Sequence, residues 1–121
     1  MTIQLHSLGV ILFLVLAGCV TQPRISYQQD VVPILKAKCL ECHLPPNGMG
    51  YLRSGLSMAS YESLRKGTIY GPVIVPGDSR HSVLNMVVED RLGTSMRPPQ
   101  SLTTEEITIL RLWVDQGAKD N

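Results

Sequence analysis

Large aromatic side chains are scarce in this chain. It carries one Phe, one Trp and four Tyr in 121 residues, and the single Phe, Phe13, falls within the first twenty positions. A small domain so short of bulky side chains buries a modest share of its surface and often needs a disulfide, a metal or a cofactor to complete its core. Charge of either sign is also nearly absent in sum. A net charge of +1 gives no basic surface for nucleic acid and no acidic tail. Strand-forming alternation is missing: residues 69–75 are the one candidate, and Pro72 interrupts them. There is no internal repeat, no low-complexity tract, and no constellation of nucleophile and general base that would mark a substrate-transforming enzyme. The length allows one domain at most.

No apolar run is long enough to span a bilayer as a helix. The longest, residues 8–16, matches instead the apolar region of an export signal. It runs into Leu16-Ala17-Gly18-Cys19, which resembles a bacterial lipobox, where small residues admit a peptidase and the thiol accepts the lipid. The preceding residues contain His6 but no Lys or Arg. This pattern predicts a signal peptide over 1–18, a lipidated tether over 19–26 beginning at Cys19, and a domain over 27–121. An exported, periplasm-facing protein anchored by several acyl chains follows. Val20, where an Asp would mark inner-membrane retention, favours the outer membrane over the inner. The competing reading is a buried hydrophobic segment with an incidental cysteine.

The rest of the chain reads as helices joined by turns, so the expected class is all-α. Val31, Val32, Ile34 and Leu35 form an apolar stripe after Tyr27. Pro33 fits only a first turn, so the helix starts near Val32 or is kinked. Pro45, Pro46, Gly48 and Gly50 predict a loop. Tyr61 to Lys66 reads as a short helix stopped by Gly67. Asp78 or Ser79 is placed to cap a helix through Val83, Leu84, Val87 and Val88. The last helix is the best marked. Thr103 stands three residues before Glu106, the spacing of a capping box. Ile107, Leu110, Trp113 and Val114 share a face, and Gly117 supplies a stop.

Cys39-Leu40-Glu41-Cys42-His43 is the C-x-x-C-H pattern of covalent haem attachment. Thiols three residues apart lie on one side of a helical turn. Each can add to a vinyl group on the same porphyrin edge, and the next residue, His43, can then offer an imidazole nitrogen to iron as proximal ligand. One haem c would also account for the odd number of cysteines, with Cys19 taken by lipid. Three other uses of the pair stand beside this: a thioredoxin-like redox couple, which normally accompanies a βαβ unit; half of a zinc site, for which His81 is the one further histidine in the mature chain; and a structural disulfide.

For the distal iron position the candidates are Met96, Met49, Met58, Met86 and His81. Met96, in an extended stretch before the last helix, is preferred. Met86 reads as core packing, Met49 and Met58 as loop residues, and His81 as a surface residue at a helix start. Arg80 and Arg97 are candidates to pair with haem propionates, because an arginine fork matches a carboxylate; solvated surface charge is the other reading. Trp113 is expected in the core, against the haem edge or the first helix.

Several stretches, in order, resemble the planctomycete-type cytochrome c domain, a relative of class I cytochromes c. They are Val31-Val32-Pro33-Ile34-Leu35, the C-x-x-C-H turn, Gly55-Leu56-Ser57, Tyr61-Glu62-Ser63-Leu64, Gly71-Pro72-Val73-Ile74-Val75-Pro76-Gly77-Asp78, Ser82-Val83-Leu84 and Met96-Arg97-Pro98-Pro99. The last runs from Leu102 through Trp113-Val114-Asp115-Gln116-Gly117-Ala118. The resemblance implies a class I-like all-α fold with first and last helices crossing beside a single haem. It implies electron transfer with separate redox partner proteins, Cys39 and Cys42 as attachment points, His43 as proximal ligand and Met96 as distal ligand. The alternatives are a haem-based sensor or binder of small ligands with an open distal position, and a lipoprotein that uses the cysteine pair for thiol exchange.

Overall fold

In the computed structural model the described residues are 18, 20–93 and 101–121. They form five short α-helices and no strand: α1 Val32–Lys38, α2 Met49–Ser54, α3 Tyr61–Lys66, α4 Val83–Val88 and α5 Thr104–Asp115. The strand candidate at 69–75 reduces to one isolated bridge between Thr68 and Gly71, as expected where Pro72 removes a ladder donor. Among the described residues no helix is long and apolar enough to cross a membrane. Of the signal peptide expected over 1–18, residues 1–17 lie outside the described residues.

The first helical unit solves the Pro33 problem in two parts. Tyr27–Val31 winds as a wide π-type turn, and α1 follows directly with its proline in the first turn, where the missing N–H costs nothing. Ser26 caps the unit: its Oγ accepts from the Gln29 N–H at 3.2 Å, and its own N–H donates to the Asp30 carboxylate at 2.7 Å.

At the other end of the chain, Thr103 and Glu106 form the reciprocal box that their spacing predicts. Thr103 Oγ1 accepts from Glu106 N at 3.1 Å, and Glu106 Oε2 accepts from Thr103 N at 2.7 Å. α3 carries a smaller version of the same device, with Ser60 and Ser63 exchanging bonds.

The cap of α4 differs from expectation. Ser82, not Asp78 or Ser79, occupies the cap position. Asp78 turns to His81, Ser79 gives its N–H to Asp115 at 2.9 Å, and the buried Ser82 hydroxyl ties the turn to Val75 and Asp78. α2 is the second difference: helix begins at Met49, within the stretch read as loop. It buries no residue, so it has no apolar stripe for periodicity to detect.

The core lies where the first unit meets α5. Tyr27, Val31, Ile34 and Leu35 pack with Leu110, Trp113, Val114 and Ala118. Trp113 is fully enclosed, stacks on Tyr27 with ring centroids 5.3 Å apart, and donates its indole N–H to the Lys119 carbonyl at 2.9 Å. Tyr61 meets Tyr27 edge-on at 5.2 Å. Trp113 is thus the core residue expected, set against the first helical unit. α4 lies along α5.

Candidate functional site

α1 delivers the motif. Its last turn ends at Cys39, whose N–H donates to Leu35 O at 2.9 Å. The chain then turns tightly: the N–H groups of Cys42 and His43 both donate to Cys39 O, at 3.2 and 3.0 Å. This one carbonyl holds both motif cysteines and the imidazole on a single turn. Cys39 and Cys42 are unlinked thiols, the state that addition to vinyl groups requires. Burial first, then the neighbouring Cys42 and Glu106, pushes the Cys39 thiol up to about 11. A protonated, buried thiol is the opposite of the exposed, low-pKa nucleophile that thiol exchange needs.

Three carbonyls of the turn and its exit are held by following segments. Cys42 O accepts from Tyr51 N at 2.9 Å, Leu44 O accepts from Gly48 N at 2.9 Å, and His43 O accepts from Met58 N at 2.9 Å. Two segments that sequence reading left as connections, 48–51 and 56–58, therefore bond to the motif.

His43 is 6% exposed, and its ring has one polar partner among the described residues. Nδ1 lies 3.1 Å from the carbonyl oxygen of Leu56. A carbonyl can only accept, so Nδ1 carries a proton, and in the neutral ring the lone pair is then on Nε2. That is the arrangement a metal-bound histidine adopts, with the second nitrogen fixing tautomer and ring plane.

The donor set fits a covalently held haem. Two free thiols on one turn stand beside an imidazole with its outer nitrogen available. The exposed apolar side chains of Leu44, Met49 and Leu52 flank the turn in sequence and on α2, apolar surface of the kind that a porphyrin covers. The donor set does not fit zinc. Among the described residues no group of three or more His, Cys, Asp or Glu side chains is placed to hold a metal ion, and His81 is engaged elsewhere, its Nδ1 2.7 Å from Asp78 Oδ2 on the exposed face. That bond holds the Asp78 carboxyl below its ordinary range.

The other candidates separate as follows. Met58 is buried in the core cluster. Met49 sits exposed on α2, and Met86 is half-buried on α4. Arg80 is exposed, and its carbonyl accepts from Arg91 Nη1 at 2.9 Å. Cys19, Met96 and Arg97 lie outside the described residues. Among the described residues, two side chains passed over in the sequence keep buried, unpartnered polar atoms: Arg65 at Nη1 and Asn85 at both ends of its amide. Such orphans are rare in folded proteins. No sequence pattern distinguishes them from other arginines and asparagines.

A family model described as Planctomycete cytochrome C matches residues 39–101, more than half of the chain. The chain belongs to this cytochrome c family. The match opens on Cys39 and closes at Ser101, so the attachment turn, α2, α3, α4 and Met96 fall within it. Membership makes this cytochrome a haem-binding, electron-transfer protein with haem c held covalently, and it agrees with the strand-free helical fold. No curated protein and no solved structure matches the cytochrome's sequence.

Proposed function

We propose that this cytochrome is an exported carrier of single electrons, holding one haem c through thioethers at Cys39 and Cys42 with His43 Nε2 on the iron. The observation that carries the reading is the imidazole itself: buried, with Nδ1 committed to the Leu56 carbonyl and Nε2 left as the ligand atom. The haem supplies a one-electron couple. The chain supplies the tautomer, the ring orientation and the burial that tune it. In this reading Met96 gives the distal sulfur, separate redox proteins exchange electrons at an exposed haem edge, and Arg97 or Arg80 pairs with a propionate. Cys19 carries the lipid that keeps the domain at the periplasmic face of a membrane, with the outer membrane favoured.

The test is an alkaline pyridine haemochrome spectrum of protein made in a cell able to mature c-type haem. A thioether haem that survives acid-acetone extraction is expected at one per chain, and is lost in His43→Ala and in either cysteine-to-serine variant. A colourless wild-type protein refutes the reading. Met96→Ala is expected to keep the haem and lose the weak near-infrared sulfur-to-iron band of the ferric form; an unchanged band rules Met96 out. Cys19→Ser is expected to move the protein from the membrane to the soluble fraction, and continued membrane retention would reject the lipid anchor.

A further inference from the structure

Gly50 stands in the first turn of α2, and its glycine identity has no backbone explanation. Its φ is not among the positive values of the chain, and in a helix alanine is intrinsically the better residue. The reason lies in space. A Cβ at Gly50 would fall 2.7 Å from both Cε1 and Nε2 of His43, and 3.0 Å from the Cys42 carbonyl oxygen. Real side-chain carbons do not approach other atoms that closely, so either the helix or the ring would have to move. α2 is not free to retreat, because Tyr51 N, one residue on, is bonded to Cys42 O at 2.9 Å. The ring is held at its other end, with Nδ1 on the Leu56 carbonyl at 3.1 Å.

We propose that Gly50 is a positioning residue for the axial imidazole: its missing side chain keeps the Cε1–Nε2 edge of His43 where the iron needs it. The inference rests on the haem reading above and extends it to a residue outside the motif. The Leu56 carbonyl fixes one end of the ring, and Gly50 leaves the space for the other. A methyl group at position 50 pivots the imidazole about Nδ1 and tilts Nε2 away from the ligand direction. The thioethers at Cys39 and Cys42 are not touched by this movement.

The experiment compares wild type with Gly50→Ala, both matured with haem. Haem content by pyridine haemochrome is read beside midpoint potential and the ferric EPR g-values. The variant is expected to hold a full complement of covalent haem, with displaced potential and g-values and a high-spin fraction in the ferric spectrum. Added imidazole, which supplies the ligand that the ring no longer gives, is expected to restore the low-spin spectrum. Wild-type potential and g-values in Gly50→Ala would overturn the proposal, whatever the change in melting temperature. Loss of haem attachment in the variant would overturn it as well, since a general folding failure and not ligand placement would then be at work. A wild-type protein without haem refutes the haem reading itself and is distinguished from both by its own haemochrome spectrum.

Discussion

Tyr27 carries more of the fold than its place at the head of the first helical unit suggests. Its ring is the surface on which both Trp113 and Tyr61 pack. Burial first, then the negative charges of Asp120 and Glu62 and the neighbouring Tyr61, raises its phenol above the ordinary value near 10. A group whose folded-state pKa lies above its unfolded one contributes stability that is complete below about pH 10 and is lost as pH climbs through the raised value. Thermal unfolding followed between about pH 9 and 12 should therefore show a melting temperature that falls faster for wild type than for Tyr27→Phe; superimposable curves would refute the assignment. At this scale the sequence was informative where chemistry needs a particular side chain. Cys39, Cys42 and His43 announce themselves by type and spacing. The partner that fixes the imidazole does not, because it is the main-chain carbonyl of Leu56, and every residue has one.

Elements with a chemical signature at their ends were legible. α5 follows from Thr103, Glu106 and the Ile107–Leu110–Trp113–Val114 spacing, and α3 stops at Gly67 as read. The cap of α4 was misplaced because Asp78, Ser79 and Ser82 are all residues that favour caps, and only the loop's three-dimensional path assigns Asp78 to His81 and Ser79 to Asp115. α2 was illegible for a different reason. It lies against the C-x-x-C-H turn through backbone contacts at Gly48 and Gly50 and so needs no apolar stripe. The Thr103 cap also matters near the haem turn, since Lys38 Nζ lies 3.8 Å from Glu106 Oε2 and donates to Ser101 O at 3.2 Å. Thr103→Ala removes the hydroxyl that accepts from the Glu106 N–H and should cost about 1 kcal/mol in a denaturant titration of the holoprotein. No change in midpoint would show that the box contributes nothing there.

At the scale of the whole molecule, residues 23–28 are fastened to residues 116–121. Gln116 Oε1 accepts from Ile25 N at 2.9 Å, and its Nε2 donates to Pro23 O at 2.8 Å. Asn121 Oδ1 accepts from Tyr27 N at 2.9 Å, Asn121 Nδ2 donates to Ile25 O at 3.2 Å, and the Asn121 carbonyl accepts from Gln28 N at 3.1 Å. The all-α class was legible from the lack of strand pattern, but this clamp was not, because long-range amide bonds leave no local trace in a sequence. Gln116→Ala breaks both of its bonds and should cost about 1–2 kcal/mol, read as a shift of the urea midpoint with an unchanged slope. A changed slope would place the effect in the denatured state instead.

The carbonyl of Lys119, between the two clamp residues in sequence, accepts from the one indole in the chain. With Trp113 sealed between the first helical unit and the last, a bound porphyrin would darken its fluorescence, and separation of that seam would light it. The protein therefore carries a natural optical gauge that reports the joining of its first and last helical units without any added dye.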